Sequence, residues 1–397
     1  MNDFKHLKDR FHLPSGVTYL DGNSLGPLPK SAEARMTGAM RDEWGEMLIT
    51  GWNRAGWMEQ PRQLGDRIAR LIGAEPGHVV LGDTLSIKVY QALAAALALR
   101  PDRKVILSDS GNFPTDLYMA EGLIKTLDAG HELRVVAPDA VEDHITDEVA
   151  VLMLTEVDYR TGRLHNMAQL TQKAHENDCL TIWDLAHSAG AIPVDLQGCN
   201  ADFAVGCTYK YLNGGPGAPA FIYVSPRHTE TVDPILSGWL GHAAPFAFDP
   251  AYRPGAGIER MRVGTPPVLA MAALDAALDI WDAVDMAALR AQSIALSERF
   301  IARVEHACPA LDLASPRDPD LRGSQVSFHF EHGYAAMQAC IAEGVIGDFR
   351  APDIMRFGIT PLYLDTADID HAADVLIGVI REKRWKNPEF QIRSRVT

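Results

Sequence analysis

The chain predicts an α/β fold, with a large domain built on a mostly parallel sheet between helices and a smaller α+β domain after it. Three observations carry this expectation. Between residues 78 and 224, short apolar runs alternate with longer segments of helical periodicity, the pattern of strands joined by helical crossovers. Residues 225–265 interrupt that pattern with many Pro and Gly. Beyond 266, an Ala-rich stretch leads into a second, shorter alternation of strand and helix.

The elements follow in chain order. Residues 14–30 carry Pro14, Gly16, Gly22, Gly26, Pro27 and Pro29 and read as an extended entry. Residues 31–72 read as helical with a break near Gly51 and Gly56; Leu64, Ile68, Leu71 and Ile72 have helical spacing. Strands are expected at 78–81, 104–107, 133–137, 149–154, 180–184, 203–206 and 220–224. Helices are expected at 85–99, 114–127 and 166–178. The loop 225–265 is long for a compact protein, and long loops of this kind are usually functional. Residues 268–307 read as one helical stretch, followed by a strand at 325–330 and helices at 334–343 and 368–383.

Composition narrows the function classes. The 397 residues have 47% hydrophobic and 22% charged residues, ordinary for a globular protein and ample for a large core. A net charge of −15 disfavours nonspecific nucleic-acid binding, so an anionic ligand needs local donors. The five cysteines are odd in number and none has CxxC spacing, which points to reduced thiols in a cytoplasmic protein and to no zinc site. The segment 1–10 is charged and lacks the apolar centre of a signal peptide. The longest strongly apolar run, 89–99, is too short to span a bilayer, so no membrane partner is expected.

The chemistry concentrates at strand ends, where open parallel sheets collect ligands. Asp184 ends the run Cys179-Leu-Thr-Ile-Trp-Asp184, with His187 just beyond it. Lys210 lies in Thr208-Tyr-Lys-Tyr-Leu-Asn-Gly-Gly-Pro-Gly217. An amine and a carboxylate so placed suit pyridoxal phosphate, which needs a lysine for its imine and an acid for its ring nitrogen. Asp184 could equally cap the next helix, and Lys210 could sit on a surface turn. Ser86 opens the helix after the strand 78–81, where it can cap the helix or bind phosphate. Phe113, in Phe113-Pro-Thr-Asp116, offers an aromatic face for stacking, and Asp116 could bond within the site. Arg356 stands among apolar neighbours and suits either a substrate carboxylate or a structural ion pair.

Assembled, these residues resemble the kynureninases, pyridoxal-phosphate enzymes of the aspartate-aminotransferase fold. The resemblance runs along nearly the whole chain. It rests on Tyr19-Leu-Asp-Gly-Asn-Ser-Leu-Gly26, Phe113-Pro-Thr-Asp116, Tyr159-Arg-Thr-Gly162, Asp184-Leu-Ala-His-Ser-Ala-Gly190 and Tyr209-Lys-Tyr-Leu-Asn-Gly-Gly-Pro-Gly217. It implies a PLP-dependent transferase-like large domain with a seven-stranded sheet, over 61–265. It assigns 1–60 to the small domain and a dimer interface, and 266–397 to a connecting helix and the small domain. It implies Lys210 as the imine-forming lysine, Asp184 on the ring nitrogen and Phe113 on the ring face. Leu85, Ser86 and Tyr209 would hold the phosphate, with His187, Thr115 and Asp116 around the cofactor. Trp239 and Thr265 match positions that reach the phosphate from the second subunit of a homodimer. Arg356, Ser24 and Trp52 would meet the substrate, with Phe246 as a further wall of its aryl slot, and Tyr209 would relay a proton. The implied reaction is hydrolysis of the Cβ–Cγ bond of L-kynurenine or its 3-hydroxy form.

Two points stand against a simple transfer. Lys88 replaces an expected neutral residue in the first turn of helix 85–99, where a cation is mildly unfavourable. A cysteine desulfurase-like or class V aminotransferase-like enzyme would share the lysine and the fold. A desulfurase needs a reactive cysteine on a mobile loop, and Cys308 and Cys340 lie in helix-like contexts.

Overall fold

The computed structural model describes residues 4–309 and 311–393. Residues 1–3 of the charged opening segment, with 310 and 394–397 of the expected last domain, lie outside the described residues. The large domain holds a seven-stranded sheet of β1 (Val79–Leu81), β2 (Val105–Asp109), β3 (Glu132–Val136), β4 (Val149–Thr155), β5 (Leu180–Asp184), β6 (Phe203–Gly206) and β7 (Phe221–Val224). Its order is β1-β7-β6-β5-β4-β2-β3. Only β7 runs antiparallel to its neighbours, β1 and β6; the other pairs are parallel. The central strands β4, β5 and β6 are buried along their whole length. This explains their unbroken apolar runs, because helices cover both faces.

The helices are α1 (Lys30–Gly38), α2 (Gln60–Leu71), α3 (Leu85–Ala98), α4 (Pro114–Leu127), α5 (Met167–Glu176), α6 (Val268–Trp281), α7 (Met286–Ala307), α8 (Gly333–Ala342) and α9 (Thr366–Arg381). In α2, Leu64, Ile68 and Leu71 form the buried stripe that periodicity predicts. Gly65 permits the close packing on β1, since a Cβ there would meet the Val79 carbonyl at 2.2 Å. The alanines of α3 (Ala92, Ala95, Ala96) are buried, which lets this helix lie close against the sheet. The expected stretch 268–307 is two helices. Asp285 restarts the chain by accepting from the backbone N–H of Ala288 at 2.9 Å, so α7 begins afresh.

The small domain has a second sheet in the order 312–313, β8 (Gln325–His329), β10 (Ile354–Gly358), β9 (Asp348–Arg350). Of these strands the sequence pattern predicts only β8. The segment Ile354-Met-Arg-Phe-Gly358 is buried at every position, so it shows no alternation to betray it. The entry segment joins this domain, because Thr18–Tyr19 pairs in parallel with Val345–Ile346. Residues 225–265 hold only single helical turns. Arg260 pins this loop by donating to the carbonyls of Glu230 at 2.7 Å, Val232 at 3.0 Å and Gly255 at 3.0 Å. Among the described residues, no helix is long and apolar enough to cross a membrane.

Candidate active site

A cavity of about 160 Å³ opens where the large sheet's carboxyl ends face the small domain. It is lined by residues of both domains and of the entry segment, among them Leu85, Phe113, Asp184, His187, Tyr209, Lys210 and Arg356.

Asp184 is placed by the sheet itself. It ends β5, and the parallel register sets Thr155 of β4 beside it. Thr155 Oγ1 donates to one carboxylate oxygen at 3.1 Å, and the backbone N–H of Ala186 donates to the other at 2.9 Å. Burial raises the Asp184 carboxyl above its ordinary range, an effect opposed by Lys210 and these donors. Asp116 lies against it, fully buried. Its carboxyl is pushed well up, first by burial and then by the Asp184 charge. Two buried carboxyls this close cannot both ionise, and Asp116 is the one that keeps a proton.

Lys210 follows β6 on a turn closed by Asn213 N–H to the Lys210 carbonyl at 3.0 Å and Gly214 N–H to the Thr208 carbonyl at 2.8 Å. Asn213 has φ +61, a conformation that Asn tolerates better than most residues. Lys210 Nζ lies 3.0 Å from His187 Nε2, 6.0 Å from the Phe113 ring centre and 5.9 Å from that of Tyr209. Burial, with Lys210 and the arginines nearby, drives the His187 imidazole well below its ordinary range. It is neutral, Nε2 accepts from the lysine, and Nδ1 carries the hydrogen. That Nδ1 is buried without a partner among the described residues. Cys207 beside Tyr209, together with burial, raises the phenol, so Tyr209 keeps its proton.

The entry segment is drawn against this turn. Gly26 N–H donates to the Tyr209 carbonyl at 2.8 Å, and a Cβ on Gly26 would meet the Lys210 carbonyl at 2.4 Å. The approach brings Asn23 and Ser24 to the cavity. Arg356 comes from β10, opposite Asp348 of β9 in the register. Nε donates to Asp348 at 2.5 Å, Nη2 donates to Asp348 and, at 2.9 Å, to Ser24 Oγ, and Nη1 donates to the Tyr159 carbonyl. Arg356 therefore makes the structural ion pair and also faces the cavity.

These residues fit pyridoxal phosphate. Phe113 is 40% exposed and lines the cavity, so it has ring surface left for stacking. Asp184 offers a buried acceptor that a protonated ring nitrogen would satisfy, and His187 Nδ1 is an orphaned donor. The first turn of α3 has no side-chain cap, because Thr84 makes no capping bond, so its N–H groups are free for a phosphate. Ser86 is therefore not the helix cap; it sits at the second helical position.

Not every expected residue meets this cavity within one chain. Thr115 and the buried Asp116 stand behind Phe113 in α4. Thr265 lines a separate cleft with Gly82 and Asp83. Trp52, Trp239 and Phe246 line an outward-facing apolar recess with Ile49, Asn53 and Phe248. In it, the Trp239 ring lies 6.2 Å from Trp52 and 5.7 Å from Phe246. Lys88 is fully buried; its ammonium donates to Gln91 Oε1 at 2.9 Å, the Met261 carbonyl at 3.2 Å and Asp83 at 3.4 Å. Sequence reasoning missed Asn23, Thr155, Tyr159, Ala186 and Arg350 as lining residues. Asn23, Tyr159 and Ala186 lie in recognised motifs and Thr155 directly follows the expected strand 149–154; Arg350 had no signal, being one charge in an undistinguished stretch. The lining contains no cysteine, and the thiols of Cys308 and Cys340 are buried and raised by that burial, Cys340 to about 12.

Solved structures show the same architecture. The cysteine desulfurase of Thermococcus onnurineus NA1 superposes with a TM-score of 0.80 at 17% identity, over 96% of this chain and 99% of that one. A C-DES variant with glycine covalently linked to its PLP cofactor superposes with a TM-score of 0.81 at 18% identity, over 93% and 98%. At such identities the likeness shows the fold alone, the PLP-dependent fold type I. Sequence relatives are more informative. Residues 289–376 match the model of the kynureninase C-terminal domain. A kynureninase of Burkholderia pseudomallei (strain 1106a) is 51% identical, covering 98% of this chain and 96% of the relative. One from Pseudomonas fluorescens is 49% identical over the same shares. Identity of this order over nearly the full length of both chains means that the chain belongs to the kynureninase family.

Proposed function

We propose that the protein is a kynureninase that hydrolyses the Cβ–Cγ bond of L-kynurenine, or of its 3-hydroxy form, giving anthranilate or 3-hydroxyanthranilate and L-alanine in tryptophan breakdown. The observation that carries this reading is the meeting of Lys210 and Asp184 in one cavity of a chain half-identical to kynureninases. Pyridoxal phosphate, when bound, supplies an electron sink for the pair left behind when the substrate loses its α-proton. Lys210, Tyr209 and Asp184 are the catalytic residues of this reading. Asp184, kept in place by Thr155 and Ala186 N–H, holds a proton on the ring nitrogen. Phe113 covers the ring, and the free N–H groups at Leu85 and Ser86 take the phosphate with Tyr209. His187, Thr115 and Asp116 complete the cofactor's surroundings. Lys210 Nζ removes the α-proton and returns it to the substrate. The neutral Tyr209 hydroxyl relays a proton in the later steps. Arg356 holds the substrate carboxylate, with Ser24 beside the bound substrate.

The active unit of this reading is a cytoplasmic homodimer. Its support is the apolar recess around Ile49, Trp52, Trp239, Phe246 and Phe248, where Ile49 is 77% and Phe248 79% exposed. Patches of this kind mark association surfaces. In a dimer, Trp239 and Thr265 serve the neighbouring cavity, and Trp52 reaches the substrate. Residues 61–265 act as the cofactor-binding body, with 1–60 bridging the small domain and the interface, and 266–397 carrying the substrate arginine.

The test is product analysis with kynurenine and 3-hydroxykynurenine as separate substrates. Anthranilate fluorescence and alanine release are expected from wild type. Lys210→Ala should lose both, together with the visible absorbance of the lysine-bound cofactor. Turnover that survives in Lys210→Ala would sink the assignment.

A further inference from the structure

Two arginines line the substrate side of the cavity, Arg350 and Arg356, and they are not equivalent. The register of β9 and β10 sets Asp348 opposite Arg356. Arg350 lies two residues beyond Asp348, on the same face of the sheet. Arg356 is 1% exposed and heavily committed. Nε and Nη2 are taken by Asp348, Nη2 also by Ser24 Oγ, and Nη1 by the Tyr159 carbonyl. A guanidinium has five N–H groups, so a single one is left to greet an incoming anion.

Arg350 is in the opposite condition. Its side chain is 34% exposed, and Nη2 shares Asp348 Oδ2 at 2.8 Å. Nη1 donates to the Phe349 carbonyl at 3.1 Å, and the approach to Ser24 Oγ is long at 3.4 Å. Nε and one Nη1 hydrogen have no acceptor among the described residues. A single carboxylate, Asp348, lies between two guanidinium groups, so the wall keeps an uncompensated positive charge. The next acid, Asp21, is buried beside Asp348 and pushed up to about 7 by burial and by that neighbour, so it neutralises only part of that charge near neutral pH.

We propose that Arg350 is the second arm of the substrate-carboxylate site, supplying the free donors and the net charge, while Asp348 holds Arg356 as its fixed floor. The inference rests on the reading that this cavity binds an α-amino acid substrate. An α-carboxylate then bridges the remaining Nη1 hydrogen of Arg356 and the open edge of Arg350. Ser24 Oγ, which donates to Asp348 at 2.7 Å, accepts from Arg356 at 2.9 Å and from Arg350 at 3.4 Å and so touches both guanidinium groups. A purely structural Arg350 would serve only as a partner to Asp348.

The experiment compares two ligands that differ only in the carboxylate. L-alanine and L-alaninamide are titrated by calorimetry into the holoenzyme of wild type, Arg350→Gln and Arg350→Lys. For Arg350→Gln, alanine affinity is expected to fall by about tenfold or more, with alaninamide within about twofold of wild type. The KM for kynurenine should rise by a similar factor with kcat little changed, and Arg350→Lys should recover part of the loss. Equal weakening of both ligands, or alanine binding untouched in both variants, would overturn the proposal while leaving the enzyme reading intact. Failure of wild type to turn over kynurenine would overturn the reading itself, and the proposal with it.

Discussion

Asp184 shows how much one side chain owes to its neighbours. As a free carboxylate it would be an ordinary surface group. At the end of β5, with Thr155 and Ala186 N–H on its two oxygens, it is a fixed anion in a dry site. Replacing it by Asn keeps the shape and removes the charge. Asp184→Asn is expected to lower kcat by about 10²–10³-fold, the usual effect of losing one preorganised electrostatic partner, as read by steady-state kinetics. A second buried acid, Glu156, follows the neighbouring strand β4, and its backbone N–H donates to the Asp184 carbonyl at 3.0 Å. Burial pushes its carboxyl up to about 7, against a weaker opposing bond from Ser188. A raised folded pKa means that the native state holds the proton more tightly than the unfolded chain. The stabilisation is complete below the ordinary carboxylate range and is lost as pH rises through about 7. Glu156→Gln should therefore melt near wild type at pH 5 and above it at pH 8. The gap should approach about 3 kcal/mol, taken from the shift at 1.36 kcal/mol per unit. A melting difference that does not grow between these pH values would refute this account.

At the scale of elements, the uncapped start of α3 is the feature on which cofactor binding turns in the proposed function. The turn before it is tied to the loop 257–263 by Lys88, whose buried ammonium reaches Asp83, Gln91 and the Met261 carbonyl. The sequence marks Lys88 only as a departure, a cation where the helix dipole disfavours one. The structure commits its ammonium to these three partners and makes it a brace. Burial lowers its pKa, and Asp83 partly restores it. Lys88→Met should loosen the 82–84 turn and raise the cofactor dissociation constant about tenfold, worth about 1.4 kcal/mol. Equilibrium dialysis of the cofactor against apoenzyme measures this directly, and an unchanged constant would remove the brace from the account. Other elements were legible to different degrees. The helix at 85–99 was legible from its long apolar run and the one at 114–127 from the start signal Phe113-Pro114-Thr115-Asp116, whereas β9 and β10 gave no signal. β10 is buried at every position, so the pattern that distinguishes in from out is missing, and β9, with three residues of which only Asp348 is buried, is too short to show one.

For the whole molecule, the notable feature is what one chain leaves uncovered. Leu48, Ile49, Phe246 and Phe248 are each at least 60% exposed, and they lie on the side that carries Trp239. If a second copy covers this face, placing a charge in it should separate the subunits. Phe248→Asp is expected to shift the protein to monomer in sedimentation at micromolar concentration and to lose most of its activity. A dimer of unaltered mass and full activity would show that the recess serves something else.

The sequence by itself determined the class of fold and the succession of strands and helices in the large domain, and it supplied the candidates for the cofactor's chemistry, because these are written locally. Apolar runs mark strands, periodicity marks helices, and Lys210 and Asp184 stand at strand ends that a parallel sheet must bring to one edge. The tertiary structure alone decided that Thr155 steadies Asp184, that Asp348 occupies Arg356, and that Arg350 is left open toward the cavity. Such pairings depend on strand register and on the meeting of two domains, and no local pattern along the chain encodes contacts between residues so far apart in it.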